Sequence, residues 1–362
     1  MILDRRTVLS GGLAAGLAGP AAPAPSPLRI ALLGQSLILH DLRPQRWPDR
    51  AAFAARLKRA DLVFTDLETA LQAPGAGAPT RAPLVLHAAP LEVLDSLTSL
   101  GVTAVATANN HAWDLGSAGI AAGLAPLRDR GLTFAGTGLD LASAAAPAYQ
   151  VTPHGKVALV AFASGGVNAD AAATPTQPGV NELRRDAAGF NGEDLARILG
   201  AVKDAAGKSD LVILYQHNHL WAPNSADIPP WQKDLAHLAI DAGAGVFVSH
   251  GAPLLQGIEL YRGRPIFYDL GDFIFQSRTT DDRYGARALE GVIAECEFQG
   301  GAFRRAALTP ILLEPTGPAD TAGRPSFARG AAAAAILQRM VGLSAPLGVS
   351  LRIEAGRATF SA

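Results

Sequence analysis

The feature that most constrains the fold is a short apolar run that ends in a dense group of polar residues. Val102–Ala106 has the composition of a buried strand, and the segment Ala108–Gly116 follows it with the sequence ANNHAWDLG. Two amides, an imidazole and a carboxylate are more polar groups than a turn needs. In open α/β sheets, ligands bind at the carboxyl ends of the strands. The sequence therefore predicts an α/β fold in which this loop handles a metal ion or a phosphate group.

Apolar runs alternate with helical segments along most of the chain. The predicted strands are Leu28–Leu33, Leu62–Thr65, Val102–Ala106, Thr133–Ala135, Val157–Ala163, Leu211–Tyr215, Gly245–Val248 and Pro265–Tyr268. The predicted helices are Ala51–Ala60, Pro90–Leu100, Ile120–Arg130, Glu193–Ala206, Leu235–Ala242 and Ala331–Val341. This alternation is typical of a sheet with helices on both faces. Alternating polarity beyond Gly291 indicates an antiparallel edge, so residues 291–362 are expected to complete the domain of residues 26–290.

Composition excludes some functions and allows others. The chain has 362 residues and a net charge of -1, so it has no basic excess and we expect no nucleic-acid partner. A hydrophobic fraction of 49% is ample for a large core. Cys296 is the only cysteine, which rules out an intrachain disulfide.

The first 25 residues have the pattern of an export signal. Arg5 and Arg6 precede the short apolar run Ser10–Gly19, and an Ala-x-Ala-like segment, Ala22–Ala24, follows. The paired arginines favour the twin-arginine route. A membrane anchor is the alternative, but the run is too short and too rich in glycine to span a bilayer comfortably. We expect a periplasmic or extracellular protein that is cleaved between residues 22 and 26.

Two pairs of potential metal ligands follow predicted strands. Asp66 and Glu68 stand two residues apart, so their side chains share one face, where two carboxylates are costly unless a cation or a base joins them. A helix-capping role is the alternative for one of them. His217 and His219 have the same spacing, and paired neutral imidazoles are common ligands of zinc, iron and manganese.

Further polar residues follow the last predicted strands of the core. His250 precedes Gly251 after one strand, and Asp269 and Asp272 follow another; we expect Asp272 to satisfy N–H groups of its own loop. The remaining histidines are predicted to be surface or structural residues: His40, His87, His154 and His237. We expect the polar groups to converge on one edge of a single sheet. Carboxylates, amides and imidazoles together suit Mn²⁺, Fe or Zn²⁺, which activate water and polarise phosphoryl or acyl oxygens.

Taken in order, these groups resemble the CapA family of capsule and poly-γ-glutamate synthesis proteins. ANNHAWDLG matches the family's ANNHxxDxG, and Ile266–Phe275 is close to its IxYSLGNFIF. Asp66-Leu67-Glu68 stands where the family has Asn-Leu-Glu. The resemblance runs from about Leu28 to Gln276. It implies a layered α/β sandwich of the calcineurin-like metallophosphoesterase type, with central β-sheets flanked by helices.

The resemblance also implies roles for single residues. Glu68 and Asn110 would be metal ligands, as would His217 and His250, which fall on the histidines of the family's HWGxE and HxPH segments. His111 would face the scissile group, with Asp114 as its orienting partner.

The chain departs from the family pattern at several ligand positions. Gln35 stands where the family has an aspartate at the end of its first strand, Pro253 replaces the second histidine of HxPH, and the HWGxE glutamate is absent. His219, or His40 and Asp41, are candidates to compensate. We therefore expect a rearranged or single-metal site.

Three functions agree with these observations. The first is an exported metal-dependent hydrolase of capsule or poly-γ-glutamate synthesis, in which a metal-activated water attacks a phosphoester or amide bond and His111 protonates or holds the leaving group. The second is a non-catalytic accessory protein that binds a surface polymer; Arg278, Arg283 and Arg287 would be its basic rim, or else solvated surface. The third is a periplasmic enzyme unrelated to capsules. Expected partners are a cell-surface polymer, a small phosphorylated or γ-glutamyl substrate, and other proteins of envelope biosynthesis.

Overall fold

The computed structural model describes residues 26–277, 285–315 and 322–362. The predicted export signal, Arg278 and Arg283 lie outside these ranges. The helices are α1 (Arg50–Leu57), α2 (Glu92–Leu100), α3 (Gly116–Asp129), α4 (Leu141–Ala145), α5 (Gly192–Ala206), α6 (Pro230–Asp241) and α7 (Gly330–Ser344), with 3₁₀ turns at Gly285–Leu289 and Ala345–Leu347.

The strands of the first half are β1 (Leu28–Leu37), β2 (Leu62–Leu67), β3 (Ala70–Leu71), β4 (Ala88–Ala89), β5 (Ala104–Ala106), β6 (Thr133–Ala135), β7 (Thr137–Gly138), β8 (Ala148–Thr152), β9 (Gly155–Ser164), β10 (Gly179–Val180), β11 (Arg185–Asp186) and β12 (Gly189–Phe190). Those of the second half are β13 (Leu211–Asn218), β14 (Val246–His250), β15 (Ile258–Tyr261), β16 (Arg264–Phe267), β17 (Asp272–Phe275), β18 (Glu290–Gln299), β19 (Ala302–Leu313), β20 (Pro325–Phe327), β21 (Arg352–Glu354) and β22 (Arg357–Ser361).

The first large sheet joins the two ends of the chain. Its strand order is β21-β22-β19-β18-β1-β2-β5-β6, and β1, β2, β5 and β6 run parallel. One edge of β1 has two partners in succession: β18 runs antiparallel to its first half, and β17 runs parallel to its second half. The segment after Gly291 therefore belongs to the same sheet as the first strand.

The second large sheet has the order β15-β16-β14-β13-β9-β8. Its four inner strands are parallel, and the edge strands β8 and β15 are antiparallel to their neighbours. The prediction that all the polar groups would meet at the edge of a single sheet is therefore wrong, because the chain begins a second sheet at β8.

The two sheets pack face to face, with helices on their outer faces and α7 packed against the core between them. The core between them joins side chains of both sheets, such as Ile30 and Phe64 with Ile213 and Val248. A second core lies beneath α1, α2 and α3 on the first sheet, and a third lies beneath α5 and α6 on the second sheet. Apart from α7, each sheet thus has helices on its outer face only, whereas the alternation of strands and helices predicted helices on both faces. The strands of each sheet are nevertheless continuous apolar runs, because the other sheet covers their inner face.

Gly34 allows β17 to approach β1 closely. A Cβ atom at this position would lie 2.7 Å from the carbonyl carbon of Asp272 and would overlap the carbonyl oxygen of Gly271. Gln35 N–H donates to that same Gly271 oxygen over 3.1 Å. Residue 34 must therefore lack a side chain for the two backbones to meet.

We expect Gly34→Ala to lower the free energy of unfolding by about 1–3 kcal/mol, because the added methyl group forces the two strands apart. Gly200→Ala is the matched control. Gly200 lies inside α5 with nothing within 4 Å of its added Cβ, so the same change there should stabilise the protein by about 0.5–1 kcal/mol. Urea unfolding of both variants measures the difference, and equal free energies would contradict the close approach.

Candidate functional site

The candidate site lies where the carboxyl ends of strands from both sheets face each other. The first sheet contributes residues that end β1, β2 and β5, and the second contributes residues that end β13 and β14. Asp66 of β2 and His217 of β13 meet across the gap, both fully buried, with 3.0 Å between Oδ2 and Nδ1. Below them Phe64 and Tyr215 pack with ring centroids 5.3 Å apart. The apolar contact between the sheets thus ends in a polar one.

The hydrogen bond between His217 and Asp66 orients the imidazole. A carboxylate only accepts hydrogen bonds, so Nδ1 is the donor in this contact, and the ring turns Nε2 toward Asn110 and Glu68. Asp66 is held in turn by Asn109, whose Nδ2 donates to Asp66 Oδ1 over 3.1 Å and to the Leu67 carbonyl over 2.8 Å. A carboxylate that orients a histidine in this way is a recurrent arrangement behind metal ligands.

Several potential ligand atoms converge on one point beside His217. Its Nε2 is 2.8 Å from Asn110 Oδ1 and 3.8 Å from Glu68 Oε1. Glu68, His217 and His219 each offer a ligand atom, and these atoms lie within 4.8 Å of one another. In the described part of the chain, Glu68 Oε2 and His219 Nε2 are buried without hydrogen-bond partners. So many acceptors in one place need a cation or protons among them.

The pKa shifts in this group have the directions expected when a buried site lacks a cation. Burial raises the pKa of Glu68 well above its usual range, and the carboxylates of Asp66, Asp272 and Asp114 raise it further. Burial also lowers the pKa of His219 well below its ordinary value. A neutral imidazole at His219 and a buried carboxyl group at Glu68 that lacks a cation are what a divalent metal ion requires of its ligands. Glu68, His217, His219 and Asn110 therefore fit such an ion.

His111 and Asp114 form a second pair beside this group. His111 Nδ1 lies 2.9 Å from Asp114 Oδ2, and its Nε2 lies 4.0 Å from Glu68 Oε1. Burial lowers the pKa of His111, although the Asp114 carboxylate opposes this change. The ring is therefore neutral near pH 7, and its Nε2 faces the convergence point.

Three residues of the site were not predicted from the sequence. Arg81 makes a 2.6 Å ion pair with Asp114 and donates to the Asn110 carbonyl. His87, predicted to be a surface or structural residue, is buried with its ring centroid 3.8 Å from that of His111. Arg81 stands in a loop of Pro, Gly and Ala that carries no motif, so only the fold reveals it. Asn109 lay within the motif, but its bond to Asp66 could not be read from spacing.

Other candidate residues have different surroundings. Asp41 is held by Arg43 and Ser96, which lower its pKa to about 2 despite partial burial, so it is engaged away from the ligand group.

Asp269 accepts the N–H of Gly271 over 2.8 Å. Asp272 accepts no backbone N–H among the described residues, so the prediction that it satisfies its own loop is wrong. His250 is buried with both ring nitrogens unpartnered within the same ranges.

Comparison with known proteins supports the resemblance. The family described as "Bacterial capsule synthesis protein PGA_cap" matches residues 34–277. Over 90% of this chain and 91% of its own length, an uncharacterized protein of Sinorhizobium fredii is 27% identical. A probable polyglutamine synthesis accessory protein of Mycobacterium tuberculosis is 33% identical, with 63% of this chain and 60% of that protein covered. The capsule biosynthesis protein CapA of Bacillus anthracis is 31% identical over 52% of this chain and 45% of its own length.

A solved structure shows a more distant similarity. The crystal structure of a hypothetical protein from Thermus thermophilus aligns with a TM-score of 0.45 and 17% identity. The alignment covers 78% of this chain and 97% of that one.

We expect Asp66→Asn to weaken divalent metal binding by about 10–100-fold, because an amide in place of the carboxylate favours the His217 tautomer whose proton sits on Nε2. Titration calorimetry with Mn²⁺ and Zn²⁺ measures the change. Asp61→Asn is the matched control, since Asp61 holds His154 through the same Nδ1 contact at 2.7 Å but precedes β2, at the end of the strand opposite Asp66. Equal affinities for the two variants would remove His217 from the ligand set.

Proposed function

The chain belongs to the bacterial capsule synthesis protein family PGA_cap, and from this membership and the site geometry we propose that it is a metal-dependent hydrolase of cell-surface polymer synthesis. Its substrate would be a phosphoester or an amide bond, in the polymer or in a small phosphorylated or γ-glutamyl compound. We further propose that it acts outside the cytoplasm, as the sequence of residues 1–25 suggests. Other envelope biosynthesis proteins would be its partners.

The observation that carries this proposal is that a group of potential metal ligands and an oriented histidine face the same point. His217, oriented by Asp66, places its Nε2 at the point where Glu68 and Asn110 place their side-chain oxygens. His111, held by Asp114, faces the same point. A set of ligands alone would serve binding or structure. A set of ligands beside an oriented, titratable imidazole supports catalysis.

The residues divide the work between binding and proton transfer. A divalent ion held by Glu68, Asn110, His217 and His219 would supply a Lewis acid that polarises the scissile group and activates water. The Asp114 carboxylate stabilises the protonated form of His111, so His111 Nε2 can take up a proton and pass it to the leaving group. Arg81 keeps Asp114 in place through its ion pair. Its side chain is partly exposed, which also allows it to contact an anionic substrate.

A non-catalytic accessory protein is the second candidate. Gln35 stands where a carboxylate is expected, and binding tolerates a changed ligand set better than catalysis does. The name of the Mycobacterium tuberculosis relative describes an accessory protein of polyglutamine synthesis. In this case the same site would hold a polymer without cleaving it.

We expect His111→Gln to lower hydrolysis by about 10²–10⁴-fold while leaving metal content unchanged, because the variant loses proton transfer but no ligand. The assay offers an aryl phosphomonoester, an aryl phosphodiester and poly-γ-glutamate to protein loaded with Mn²⁺, Fe²⁺ or Zn²⁺. His154→Gln, a change of the same kind on the surface, should keep full activity.

The same assay separates the two candidate functions. If wild-type protein holds metal but cleaves none of the three substrates, and still binds poly-γ-glutamate, the hydrolase proposal is wrong and the accessory role takes its place. Activity of His111→Gln equal to wild type would show that His111 is not the acid–base residue.

A further inference from the structure

Asp272 is a buried carboxylate with no role in the fold as described. The residue is 0% exposed, and neither oxygen meets a donor in good hydrogen-bond geometry among the described residues. Burial raises its pKa well above the ordinary range, and the approach of the Gln35 side-chain amide as a hydrogen-bond donor lowers it only in part. By contrast, the buried Asp194 is paired with Arg184 and Arg197. An unpaired buried acid destabilises a protein, so its presence needs a reason outside the fold.

The strand register places Asp272 on the face that carries the candidate site. Gln35 is paired with Asp272 on one side and with Asp66 on the other, so the three residues form a row across β17, β1 and β2. Residues directly opposite on neighbouring strands point to the same face, and neighbouring strands lie about 4.8 Å apart. Asp66 points between the sheets, where it meets His217. Gln35 and Asp272 therefore extend the polar row along the same gap.

His250 occupies the corresponding position on the second sheet. It is paired in register with His217, one strand further along, just as Gln35 is paired with Asp66. Burial lowers the pKa of His250 to about 3, so the ring is neutral, and both of its nitrogens are unpartnered within the described ranges. Gln35 Oε1 is also buried without a donor there. The topology thus gathers three buried side chains, from both sheets, each with a polar atom that lacks a well-formed hydrogen bond within the described residues.

We propose that Asp272 is the acidic ligand of a divalent cation at this end of the site, with His250 and Gln35 Oε1 beside it and the Glu68, His217 and His219 group as its neighbour. The inference rests on the proposed function, because it assumes a metal-binding site. The acidic ligand would then come from β17 and not from β1. The acid expected at position 35 stands instead directly across the strand pair, at position 272, where the matching segment IxYSLGNFIF has an asparagine.

The test compares Asp272→Asn with the exchange Gln35→Asp/Asp272→Asn in the full-length protein. The readouts are metal per chain, Mn²⁺ and Zn²⁺ affinity, and Tm with and without metal. We expect Asp272→Asn to keep or raise the Tm of the metal-free protein, since it replaces a buried acid that has no basic partner by a neutral group of the same shape. The same variant should bind metal at least about tenfold more weakly and lose much of the metal-induced rise in Tm. The exchange variant should recover that rise.

Asp194→Asn is the control for a purely structural acid. It breaks the ion pairs with Arg184 and Arg197, so its metal-free Tm should fall while the metal-induced rise stays that of wild type. If Asp272→Asn behaves in this way, or binds metal as wild type does, the assignment of Asp272 is wrong while the proposed function stands. A wild-type protein that binds neither ion overturns both. Recovery of binding by the exchange variant is the result that supports the assignment.

Discussion

The two sheets exclude water from each other's inner face, and this constraint governs the polar groups at their carboxyl edge. Along most of the interface the contacts are apolar, as between Phe64 and Tyr215. At the edge, buried polar atoms need a partner from the opposite sheet or from a ligand, because water is not available to all of them. Asp66 and His217 satisfy each other across the gap. Glu68 Oε2, Asp272 and His250 have no such partner in the described ranges, and the balance of the site is therefore one of missing positive charge.

Much of the fold could be predicted because its local signals agree with its packing. The apolar runs at Leu62–Thr65 and Leu211–Tyr215 became β2 and β13, and the motif after Val102–Ala106 lies at the carboxyl end of β5. The layered α/β class and the CapA family are confirmed. The residue pattern alone did not predict the division into two facing sheets, because a strand covered by a sheet and a strand covered by helices have the same apolar composition. The layered sandwich with central β-sheets came from the family resemblance.

Only those residues of the candidate site that belong to a sequence motif could be predicted. Residues that belong to a motif, such as Asn110 and His111, are indicated by their spacing. Arg81 and His87 enter the site only because the loop between β3 and β4 folds back over it, and no local pattern encodes that path. From the sequence, Asp272 is predicted to serve its loop, because a carboxylate near glycine usually serves a turn. Asp269 takes that role, and only the strand register separates the two acids.

The pairing of β1 has a consequence for how the chain reaches its native state. Leu28, near the start of the described chain, pairs with Phe298, so the first strand keeps an open edge until nearly all of the domain has been synthesised. Non-local pairing of this kind slows folding, and an open strand edge invites association with other chains. The last seventy residues are therefore an integral part of the fold, since a chain that stops before β18 would leave the first half of β1 without a hydrogen-bonded partner on one edge.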